Sequence, residues 1–205
     1  MEAYAKISKV YLKHHLKFYI LAAVLLFCLM PFLMSTENLS PRESAKTLEM
    51  YAALLGVVLL VPIFMADQDK DIRDLLRSKR ISLSLVHGIR VIESLLVLAA
   101  AEMACILFLK GGGCQFPLWS YFFGVLAGAL FLGGLGMAIY SLTDNVAVGY
   151  MIPLVYYAIN FSGDKYVKNF YLFSMTQGNF LPKYWLAMVG LLFLLFGVLW
   201  RRVHP

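Results

Sequence analysis

The chain has 205 residues, 61% hydrophobic and only 15% charged, with a formal net charge of +6. Soluble domains carry roughly 45–50% apolar and about 25% charged residues, so the apolar surplus here has no water-soluble fold to hide in. At roughly 20 residues per crossing, about six membrane crossings use about 120 positions and leave no separate globular domain. The basic balance reads as a topology signal at the anionic face of a bilayer, not as a nucleic-acid surface. Cys28, Cys105 and Cys114 lie in apolar runs or a loop and make neither a disulfide framework nor a metal-ligand cluster.

In residues 1–17, Lys6, Lys9, Lys13 and Lys17 recur at three- and four-residue spacing beside an apolar stripe of Tyr4, Ile7, Val10 and Tyr11. That pattern predicts an amphipathic helix in the headgroup layer leading into the membrane. The first crossing is expected from Phe18 to Met34 and is retained, because no small-residue cleavage site follows it. Ser35 to Lys46 has loop chemistry, and the second crossing runs from Thr47 to Ala66. A charged segment, 67–82, precedes a third crossing that begins near Leu83, is clear from Ile89 to Leu109 and ends at Lys110-Gly111-Gly112-Gly113.

The fourth crossing is expected from Leu118 to Leu142 and the fifth from Val146 to Phe161, with a tight turn at Thr143-Asp144-Asn145. Gly124 and Gly128, followed by Gly133, Gly134 and Gly136, permit close helix contact, more within the chain than between copies. Segment 163–183 is too polar to cross and, with Tyr166, Phe170, Tyr171, Phe173 and Phe180, too aromatic for a solvated loop, so it reads as interfacial or re-entrant. The sixth crossing, Tyr184 to Trp200, ends at Arg201-Arg202. The fold class is thus an all-α polytopic membrane protein, one permease-sized domain over residues 1–205 with about six transmembrane helices.

An even number of crossings places both termini on one side, together with most of the Lys and Arg residues, and the positive-inside rule makes that side cytoplasmic. The segment between the second and third crossings is then cytoplasmic too. In it Asp67, Asp69, Asp71 and Asp74 come first and Arg77, Lys79 and Arg80 last, the charge order that stabilises a helix through its dipole. Ile72, Leu75 and Leu76 fall at i, i+3 and i+4 and form one small apolar face. That face either rests on lipid headgroups or docks into a partner. Glu102 lies about seven residues, roughly 10 Å, inside the third crossing. A carboxylate there faces protein or water, either hydrogen-bonded to another crossing or placed on a substrate pathway.

An amphipathic lead-in, two crossings, an acidic-then-basic cytoplasmic helix with a Leu-Leu pair, a small and basic re-entry (Ser82-Leu83-Ser84, Gly88-Ile89-Arg90) and four further crossings resemble a type-2 ATP-binding-cassette (ABC-2) permease. The resemblance covers essentially the whole chain through its layout and loop character. It implies that the cytoplasmic segment is a coupling helix entering a cleft on an ATPase subunit, with Asp69, Asp71, Ile72, Arg73, Leu75, Leu76, Arg77 and Arg80 as its contact residues. It implies that segment 163–183 matches the short outer re-entrant helices of such exporters. In the family the second and fifth crossings face the partner permease across the pathway. Tyr51, Leu54, Leu55, Val58, Tyr150, Pro153, Tyr157 and Asn160, with Glu102, are then candidates to touch substrate, packing being the alternative role.

The chain has no G-x-x-x-x-G-K-[ST] phosphate loop. The resemblance therefore implies no cofactor on this chain, ATP and Mg on a separate ABC ATPase subunit, and a second permease copy or a related permease to complete a dimeric exporter. A prokaryotic cell membrane is the expected location. Crossings nearly free of charge fit a hydrophobic or amphipathic cargo, such as a peptide, a lipid-like molecule or a drug. The competing classes are a channel or immunity protein with six crossings and, further off, an intramembrane enzyme, for which the sequence offers neither H-E-x-x-H nor G-x-S-x-G.

Overall fold

The computed structural model describes residues 10–67, 82–163 and 167–203. Six helices carry the architecture: α1 (Leu12–Leu33), α2 (Pro41–Leu60), α3 (Leu83–Gly111), α4 (Leu118–Thr143), α5 (Val146–Asn160) and α6 (Leu181–Val203). All except α5 are long and apolar enough to cross a membrane. They run up and down, so one end of the bundle, the near end, gathers the start of α1, residues 61–67, Ser82, the α4–α5 turn and the end of α6. The far end gathers residues 34–40, 112–117 and 161–180.

Helix α4 is the central post, packed against α6, α2 and α5. It is apolar all round and carries no Asp, Glu, Lys or Arg, as a helix enclosed by others should be; 78% of its apolar stretch is buried, against 17% for α1. Small residues set the approach distances. A Cβ on Gly56 of α2 would stand 2.0 Å from the Ala129 carbonyl oxygen of α4, and one on Gly134 of α4 would stand 2.6 Å from the Gly190 oxygen of α6. At these two crossings backbone lies on backbone, so the α4 glycines serve packing within the chain. Large apolar side chains such as Leu25, Leu96, Phe123 and Leu195 point outward instead, as expected of a surface solvated by lipid.

Several boundaries differ from the sequence expectation. Helix α1 begins before Phe18: a π-turn over Leu12–Leu16 runs directly into it. The basic residues there do not end the helix, because their long stems let the charged heads reach a polar layer. Of the lead-in stripe, Tyr11 is buried, under the guanidinium of Arg90 with 5.1 Å from Cζ to ring centroid, while Val10 is exposed. Helix α2 starts at Pro41, not Thr47. Ser40 Oγ accepts from the Glu43 backbone N–H while Glu43 returns to the Ser40 N–H, a capping box with Pro at the first helical position. The end of the second crossing, Val61–Asp67, is 3-10 helix. Helix α6 starts at Leu181, so Lys183 belongs to it. The rest of the expected re-entrant segment, within its described residues, holds two short 3-10 turns, Lys168–Phe170 and Met175–Gln177.

Candidate functional site

At the near end the two stems of segment 68–81 meet. The Phe64 ring, at the close of the α2 element, stands edge-on to His87 in the first turns of α3, with centroids 4.9 Å apart, and to Tyr140 of α4 at 6.0 Å. Arg201, from the last turn of α6, lies over both Phe64 (5.1 Å) and Tyr140 (5.2 Å) and pairs through Nη2 with Asp144 Oδ1 in the α4–α5 turn. Asp144 adopts left-handed backbone geometry, φ 50°, and Asn145 caps α5 by accepting from the Ala147 N–H. Five helical elements are thus clamped around one buried ring. Cation–π contacts in a desolvated setting are worth about 2 kcal/mol each. The coupling-helix residues Asp69, Asp71, Ile72, Arg73, Leu75, Leu76, Arg77 and Arg80 lie outside the described residues.

Toward the far end three charged residues from three helices form a buried cluster. Lys183 Nζ of α6 lies 2.8 Å from Glu49 Oε1 of α2, with both side chains almost wholly buried, and also donates to the Leu172 carbonyl. Glu49 accepts from the backbone N–H of Met175 (2.8 Å) and from the N–H and hydroxyl of Thr176 (3.1 and 2.8 Å). Glu102 of α3 is fully buried within electrostatic reach of Lys183, and neither of its carboxylate oxygens has a hydrogen-bond partner. The hydrogen bond to another crossing weighed for Glu102 is absent. Two acids and one base share a low-dielectric volume, and only Glu49 is fully satisfied.

The cluster also holds down residues 167–180. Besides Glu49 and Lys183, Arg42 Nε donates to the Thr176 carbonyl, Tyr156 Oη to the Phe170 carbonyl, and the Leu172 N–H to Asn160 Oδ1. A lateral cleft of about 580 Å³ opens beside it between the first halves of α4 and α6, lined by Trp119, Phe123, Leu130, Phe180, Lys183 and Tyr184.

The residues expected along a pathway divide into three groups. Tyr51, Leu54 and Val58 form one half-buried stripe on α2, while Leu55 turns into the core. Tyr157 of α5, half-buried, donates to the Met50 carbonyl of α2 at 2.7 Å and lies within electrostatic reach of Tyr51, and Tyr150 lies likewise near Tyr19 of α1. These make a partly open face shared by α1, α2 and α5. Pro153 and Asn160 are buried away from it, Pro153 against Gly136 of α4 and Asn160 tied to Leu172. Glu102 belongs to the charged cluster. Glu49 and Lys183 were not singled out in the sequence. The signal for Glu49 was an acid inside an apolar stretch, which calls for a partner, but its base lies 134 positions away.

No family model, curated protein or solved structure matches the chain. Among the described residues no group of His, Cys, Asp and Glu is arranged to hold a metal ion.

Proposed function

We propose that the chain is the membrane-spanning permease subunit of an ATP-driven exporter, crossing the membrane six times, with its near end in the cytoplasm and segment 68–81 docking on a separate ATPase. The observation that carries this reading is the near-end clamp. Phe64 and His87 stand on the two stems of the segment, and the same contacts bind the ends of α4, α5 and α6. A displacement of the segment is therefore passed to the central post and its neighbours instead of being absorbed in a slack loop. The layout of six apolar helices and the basic near end agree with it. The half-open face of Tyr51, Leu54, Val58, Tyr150 and Tyr157 is where a second permease would close a pathway for a hydrophobic or amphipathic cargo.

Affinity purification of the tagged chain from its native membrane tests the reading. The wild type should bring down an ATP-hydrolysing subunit, and the double substitution Leu75→Asp with Leu76→Asp should lose it at unchanged membrane abundance, because charge is placed on the apolar docking face. A wild-type preparation with no ATPase, or a double variant that keeps it, refutes the proposal.

A further inference from the structure

The charged cluster has one member that makes no hydrogen bond to residues 167–180. Glu102 is wholly buried, its two oxygens lack hydrogen-bond partners, and its nearest charge is the Lys183 ammonium, already engaged by Glu49 and the Leu172 carbonyl. Among the described residues no other base acts on it. From α6 Lys183 comes within electrostatic reach of Glu102, α2 brings Glu49 to the same ammonium, and its own helix adds Cys105 three residues on. Helix α4 has no charged side chain, and its titratable group at this end, Tyr121, donates to the Pro41 carbonyl. The charged residues of α1 all sit at its near end. One ammonium cannot satisfy two buried carboxylates, and an unpaired charge in such a place is costly.

We propose that Glu102 is a proton-binding site whose occupancy decides how firmly Lys183 holds Glu49, and through Glu49 how firmly residues 172–177 are seated on the far end. With the proton on Glu102, Lys183 has one anionic partner, and the Glu49 carboxylate keeps its three bonds to Met175 and Thr176. When the carboxyl O–H bond breaks, the proton passes to water and the electron pair stays on the carboxylate. The new anion then competes for the ammonium. Lys183 is drawn toward α3, its bond to the Leu172 carbonyl and its pairing with Glu49 weaken, and the segment loosens. The ligand is the proton itself. The proposal stands apart from the transport reading, since its test needs no ATPase.

The test uses the full chain in phosphatidylcholine vesicles, followed by infrared spectroscopy and by hydrogen exchange at the Met175 and Thr176 amides across a pH series. The expected result is a protonated-carboxyl C=O band that disappears as pH rises and is missing in Glu102→Gln. As it disappears, the exchange protection factors of the two amides should fall about tenfold, the change that one unit of pKa linkage implies. In Glu102→Gln protection should stay high at every pH. Should that variant fail to fold, Glu102→Asp retains the carboxyl and should keep both the band and the linked loss of protection at a shifted midpoint. No band assignable to residue 102 at any pH, or a band that titrates while protection is constant, overturns the proposal.

Discussion

Replacing Lys183 by Met removes the base from the buried cluster while preserving most of its volume. At 2.8 Å from Glu49 Oε1, the Coulomb attraction is about 6 kcal/mol at an effective dielectric constant of about 20. Desolvating both ions costs several kcal/mol each, so the net worth of the pair is small, yet stripping one partner leaves Glu49 charged and buried at a cost of about 3–5 kcal/mol. The lost bond to the Leu172 carbonyl is included in that range. Glu49→Gln together with Lys183→Met should be less destabilised than the sum of the two single changes, with a coupling energy of at least about 1 kcal/mol, because neither charge is left alone. The measurement is equilibrium unfolding in mixed micelles, followed by the fluorescence of Trp119, Trp185 and Trp200. A Lys183→Met variant within about 1 kcal/mol of wild type, or strictly additive effects, would refute the reasoning.

Three further expectations concern the frame that holds the clusters. Gly56→Ala places a methyl group 2.0 Å from the Ala129 carbonyl oxygen and should cost about 1–3 kcal/mol in the same unfolding assay by forcing α2 off α4. Gly88→Ala in α3, whose new Cβ meets nothing within 4 Å, should instead be neutral or stabilising by up to about 1 kcal/mol. Ser40→Ala removes the acceptor that caps α2 and should cost about 1 kcal/mol, seen also as faster hydrogen exchange at the Glu43 amide.

The helical class and the turn at Asp144-Asn145 were readable because long apolar runs and their punctuation are local properties. The start of α2 was readable in principle: Ser40-Pro41-Arg42-Glu43 is a capping-box pattern, but the polar residues after it lack the hydropathy that marks a crossing, so the helix was placed six residues late. Glu102 stood out because it is an acid deep in an apolar run. Its surroundings did not, since Lys183 comes near only when α6 packs beside α3 and α4. Lys183 itself reads in sequence as the end of the interfacial or re-entrant segment 163–183, because it falls at the very start of its helix, where a base is unremarkable. Phe64 lies in an apolar run where no periodicity separates a ring that clamps from one that merely fills space.

Helix α5 has 15 residues, which makes it about 22 Å long, roughly 8 Å short of a typical hydrocarbon layer. As the proposed fifth crossing it leaves a notch on the far side. Phe170, Tyr171, Leu172 and Phe173 stand over that notch, tied to it by Tyr156 and Asn160. The flank therefore has a hydrophobic thickness that depends on whether this aromatic plug is in place. With the plug seated, its apolar side chains add to the hydrophobic surface of the flank beyond the end of α5. With it lifted, the annular lipids must thin or tilt to meet α5. Bilayer thickness then becomes a variable that acts on the same segment as the buried charges, favouring the seated form in thick membranes and the lifted form in thin ones.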